Sequence, residues 1–88
     1  MVYITHIRLA GGAGHEHITR FAWKEVGATR TGDTSRAEMV QWVRSGGDAR
    51  VQAKPVDVQV VVVDADPPYL RTVANSKYTD NLLALPHF

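Results

Sequence analysis

The chain opens on Val2-Tyr-Ile-Thr-His-Ile-Arg-Leu9, where β-branched and aromatic residues dominate and predict a strand. Strict alternation would set Tyr3, Thr5, Ile7 and Leu9 against Val2, Ile4, His6 and Arg8, so both faces carry apolar residues and the alternation is imperfect. Ala10-Gly-Gly-Ala-Gly14 then breaks the pattern as a flexible loop. From His15 to Val26 strand character resumes, with His17, Thr19, Phe21 and Trp23 on one face and Ile18, Arg20, Ala22 and Lys24 on the other. The short connection predicts that these two strands pair as an antiparallel hairpin. Gly27 to Asp33, with two glycines and two threonines, reads as a loop.

A helical period follows. Ser35-Arg-Ala-Glu38 fits a capping box, in which hydroxyl and carboxylate satisfy amide groups that the first turn leaves without partners. Met39, Val40 and Val43 recur at helical spacing with Trp42 beside them, and Ser45-Gly46-Gly47 supplies a stop. The spacing predicts one amphipathic helix over 35–45. Ala49 to Ala53 then alternates as a short strand closed by Lys54-Pro55, and Val56 to Asp64 forms a valine-rich strand suited to a central position. Asp66-Pro67-Pro68 is a stiff break, Tyr69 to Val73 a further strand, and Asn75-Ser76 a turn. In the last stretch, Asp80-Asn81 suits a cap before Leu82, Leu83 and Leu85, with Pro86 as terminator. The expected architecture is α+β in the order ββαβββ. It is a small, mostly antiparallel sheet of four to five strands with the helix packed on one face, all within a single domain over residues 1–88.

Several residues in this pattern resemble a known family. Ile4-Thr-His-Ile-Arg-Leu9, Trp23, Ser35-Arg-Ala-Glu-Met39, Tyr69-Leu-Arg-Thr72 and Asp80-Asn-Leu-Leu-Ala-Leu-Pro86 are together similar to a small bacterial and phage domain family of unknown function. The resemblance implies a compact, free-standing domain and no assigned activity, so it transfers no catalytic residue. Members often carry an Asp-Gly turn where this chain has Asn75-Ser76, which implies a differently shaped last hairpin.

Composition narrows the functional classes. Ten Lys and Arg against nine Asp and Glu leave a net charge of +1, no electrostatic commitment to nucleic acid or an anionic membrane. The absence of cysteine excludes disulfides, thiolate metal sites and a cysteine nucleophile. The longest apolar run, Val60 to Val63, is too short to cross a bilayer, and the reading is of a cytoplasmic protein.

Candidate chemistry is sparse. On a strand, His15 and His17 would share a face, and His6 from the paired strand would complete a set of metal ligands; the alternative is solvent-facing imidazoles at a loop junction. Gly11, Gly12 and Gly14 lack the helix that a phosphate cradle needs behind them, and instead suit a loop that moulds to a partner. Ser35, Ser45 and Ser76 have structural roles, and Asp64 and Asp66 flank a prolyl turn, so the chain is read as non-enzymatic and needing no cofactor. Arg71 lies mid-strand, where it would pair with Asp80 or Glu38 or reach a ligand anion. Leu82, Leu83 and Phe88 would close the core as a lid or offer an apolar patch to another protein. Trp23, Trp42, Phe21 and Tyr69 are assigned to the core.

The reading that follows is a module that binds another protein, with open sheet edges that also suit a homodimer. One alternative is a nucleic-acid-associated domain using Arg8, Arg20, Lys24, Arg44, Arg50, Arg71 and Lys77, with Tyr3, Trp23 and Tyr69 as stacking platforms. The other is a histidine-based metal protein.

Overall fold

Two threonines explain why the first hairpin does not alternate cleanly. In the computed structural model, which describes residues 1–88, β1 (Val2–Leu9) pairs antiparallel with β2 (Ile18–Glu25). The register slips between Ile4 and His6 and again between Arg8 and Leu9, leaving Thr5 of β1 and Thr19 of β2 as the extra residues. Each bulged hydroxyl donates to a carbonyl of the opposite strand, Thr5 Oγ1 to Ala22 O at 3.3 Å and Thr19 Oγ1 to Arg8 O at 3.2 Å. Each bulge inverts the pleat, so Val2 and Ile4 join Ile7 on the buried face, and Ile18 joins Phe21.

The sheet has seven strands in the order β3-β2-β1-β4-β5-β6-β7, more than the four to five expected. One addition is β3 (Thr31–Ser35), an edge strand that takes up the end of the expected loop, Thr31 to Asp33, and runs on to Ser35 at the expected helix start. Its sequence Thr-Gly-Asp-Thr-Ser carries no large apolar residue, as an edge strand with few residues to bury can tolerate. The other is β7 (Lys77–Thr79), paired with β6 (Tyr69–Ala74) through the turn Asn75-Ser76. Both turn residues adopt positive φ, 53° and 63°, the two-residue geometry that an Asp-Gly pair also favours. Between these hairpins, β4 (Ala49–Val51) runs parallel to β1 and antiparallel to β5 (Val58–Val63). Val56 falls outside the strand and is exposed. No helix is long and apolar enough to cross a membrane.

The expected helix is present as α1 (Arg36–Arg44). Ser35 Oγ accepts the Glu38 amide at 3.3 Å, while its own proton goes to Glu38 Oε1 at 3.0 Å. At the other end Gly46, at φ 103°, donates to Val43 O, and Gly47 donates to Trp42 O, a Schellman closure. The helix buries Met39 and Val40 on the apolar face of the sheet, against Ile4, Phe21, Val60 and Leu70 in one continuous core.

The C-terminal segment closes the core. A single turn, with Ala84 N bonded to Asp80 O, carries Leu82 to full burial instead of starting a helix, and Pro86 stops it. Ile7 then bonds Pro86 O through its amide and Phe88 N through its carbonyl. These bonds occupy the stretch of β1 that has left β4, since β1 and β4 pair only at Val2–Ala49 and Tyr3–Arg50.

Candidate binding cleft

Two of the aromatic residues assigned to the core, Trp23, which does pack against it, and Trp42, which does not, stand in the walls of an open cleft of about 450 Å³ between α1 and the β2–β3 hairpin. Trp23 reaches it from β2, with its indole N–H donating to Thr34 Oγ1 at 2.9 Å. A Cβ at Gly32 would lie 2.8 Å from the Trp23 ring, so the indole lies flat across β3 only because residue 32 is glycine. Trp42 comes from α1 and is 39% exposed. Its ring rests on Gly47, where a Cβ would lie 2.2 Å from it; the helix stop therefore also positions an indole. Met1, Val2 and Met39 line the floor.

The rim is charged. Glu25 ends β2, and Glu38 stands one helical turn before Trp42 on the same side of α1. Neither carboxylate belongs to any of the molecule's ion pairs. The Arg30 guanidinium lies 5.8 Å from the Trp23 ring centroid and is likewise outside those pairs. The sequence held the residues of this site but no signal of their meeting, because Gly32 and Gly47 read only as loop and stop.

The residues singled out from the sequence lie elsewhere. His15–His17 forms a 3-10 turn and not a strand, so His15 and His17 do not share a strand face. His15 is buried, His17 packs over Gly12, and His6 is exposed beside Thr5. No three His, Asp or Glu side chains come together as metal ligands. Burial pushes the His15 pKa below 6.5, nearby Arg71 adds to the effect, and Asp80 and Glu16 oppose it. Gly11 takes φ 77°, and Gly14 precedes the 3-10 turn beside the Glu16 carboxylate. Leu82 is fully buried and Leu83 half-buried, which makes this segment a lid rather than a patch. Phe88 is 38% exposed beneath the Arg8 guanidinium, 4.5 Å from its ring centroid.

The basic residues considered for nucleic acid are largely engaged. Arg20 pairs with Asp33, Arg44 with Asp64, Arg50 with Asp48 and Arg71 with Asp80. Arg71 also lies over Tyr78, and Arg8 donates to Phe88 O. The Arg50 and Gln59 hydrogen bonds hold the Asp48 carboxyl below its usual range. The Tyr3 hydroxyl donates to Asp57 Oδ2 at 2.5 Å, which raises its pKa above 10.0. Lys24 and Lys77 have no ion pair.

No curated protein and no solved structure is significantly similar to the chain. A family described as "Protein of unknown function (DUF3892)" matches residues 3–86, in agreement with the resemblance carried by the first strand, the helix start and the last two motifs, and the chain belongs to that family.

Proposed function

We propose that the protein is a non-enzymatic module that binds another protein through the cleft between α1 and the β2–β3 hairpin. The observation that carries this reading is the pair of indoles, Trp23 and Trp42, each laid on a glycine and left at the wall of an open cleft. Trp dominates binding hot spots because it offers a large apolar area with few rotatable bonds. A half-exposed Trp42 in a domain short of core residues is a stability cost that an interface would offset. The cleft brings together no nucleophile, base and orienting carboxylate, which supports a binding role over a catalytic one.

The engaged arginines favour this reading over nucleic acid. A guanidinium already bonded to an aspartate must give up that pair before it neutralises a phosphate, which lowers the gain from counterion release. Selection of displayed peptides on the folded domain tests the proposal. The expected result is enriched sequences that bind the wild type and are lost on Trp42→Ala and Trp23→Phe variants of unchanged fold. Enrichment that both variants retain would place binding elsewhere, and elution from heparin only at high salt would favour nucleic acid.

A further inference from the structure

Resting on the binding-module reading, we infer that the cleft takes the lysine side chain of a partner segment that adds as a strand to the free edge of β3. The first support is charge. Glu25 and Glu38 are two carboxylates at the cleft that belong to no ion pair, so an incoming ammonium meets two acceptors with no cation already bonded to them. The two cations beside the cleft, the Arg30 guanidinium and the amino group at Met1, form no ion pair with either carboxylate. The second support is aromatic. Indole faces attract cations more strongly than other aromatic rings, and a desolvating wall strengthens that attraction. Arg30 shows the preference already at work: with no carboxylate partner, its guanidinium lies over Trp23. It acts as a tethered stand-in that a better-placed cation displaces.

The third support is the backbone. β3 ends the sheet, so its outward amide and carbonyl groups over Thr31–Ser35 have no strand beside them. A partner strand added there would place alternate side chains on the same face as Trp23 and Thr34, next to Gly32, which has no side chain to block the approach. An extended stem ending in an ammonium group suits an entrance between β3 and α1 that offers two indoles for the stem and the carboxylates of Glu25 and Glu38 for the ammonium.

The test is an NMR titration of the full chain, following the indole N–H signals of Trp23 and Trp42 and the amides of Thr31–Ser35. The probes are a capped Thr-Lys-Thr-Lys-Thr peptide and the same peptide acetylated on both lysines. The lysine peptide is expected to shift both indoles, slow β3 amide exchange, and bind about tenfold tighter than its acetylated twin. Glu25→Gln with Glu38→Gln should remove most of that difference with little change in the melting curve, because a glutamine oxygen at 38 still accepts from the Ser35 hydroxyl. Arg30→Gln should tighten binding by removing the internal competitor.

Equal binding of the two peptides would overturn the lysine inference and leave the binding module standing, whereas failure of these probes and of the displayed peptides would remove both. Weaker binding by Arg30→Gln would overturn the inference by pointing to an acidic ligand. A two-chain sedimentation mass that Lys77→Gln returns to one chain would identify β7 of a second copy as the occupant, and would overturn a separate partner.

Discussion

The sheet has two ends on its apolar face, and the chain treats them differently. Where β1 leaves β4, the segment after Asp80 fills the gap with Leu82 and ties itself to both backbone groups of Ile7. Where β2 and β3 run out past α1, Trp42 stays exposed, Trp23 is half-buried beneath the Arg30 guanidinium, and Glu25 and Glu38 line the opening. Both ends use apolar side chains on the same face. One is completed by the chain itself and serves stability, and the other is left open, which is where the proposed partner would bind. In a domain this small, an exposed Trp42 adds little to the core, which is what the proposed binding role rests on.

The largest effect should come from removing the closed end. Ending the chain at Asn81 deletes Leu82, Leu83 and Leu85 and the bonds to Ile7, and should abolish cooperative thermal unfolding by circular dichroism. The milder Leu82→Ala should cost about 2–5 kcal/mol in urea unfolding, because the void it leaves is fully enclosed. At the open end the expectation reverses. Trp42→Ala should cost about 1 kcal/mol, since the ring is already partly hydrated, yet abolish peptide binding. A Trp42→Ala loss as large as that of Leu82→Ala would show the two ends to be equivalent and break the comparison.

Acid should act on the closed end. The His15 ring lies 4.0 Å from Asp80, at the start of the lid, with its Nε2 buried and without a hydrogen bond. Its pKa in the folded protein is below 6.5, so as pH falls the unfolded chain binds the proton first. The stability contributed by the neutral ring is complete above pH 6.5 and is lost as pH falls through the lower folded value. Urea midpoints at pH 7.5 and 5.5 should therefore fall in the wild type, and fall less in His15→Gln. Peptide binding at the cleft should survive wherever the protein stays folded.

The smallest effect should come from a site belonging to neither end. Ser76 holds φ 63°, which glycine adopts without strain, so Ser76→Gly should raise stability by up to about 1 kcal/mol and leave binding unchanged.

The legible parts of the sequence were those with local causes. Ser35-Arg-Ala-Glu38 and Gly46 marked both ends of α1 because caps are made within a few residues. The hairpin of β1 and β2 was readable, but its buried face was not, because a bulge depends on which residue the opposite strand leaves unpaired. β3 was hidden because Thr31-Gly-Asp-Thr-Ser35 has no apolar period, and its strand state comes from the neighbouring β2. His15 and His17 looked like strand residues by composition, yet the turn after the glycines coils them. The cleft was illegible for a related reason. Trp23 and Trp42 carry no sign of exposure, and Gly32 and Gly47 show their role only when ring and backbone meet.

If the open end, and not the closed one, receives a partner's side chain, a bound lysine must lie against the two indoles. Intermolecular nuclear Overhauser effects from a peptide carrying ¹³C-labelled lysine test it most directly. Cross-peaks are expected from the lysine Cε protons to the rings of both Trp23 and Trp42. Cross-peaks confined to Leu83, Phe88 or the outer face around Tyr78 would contradict it.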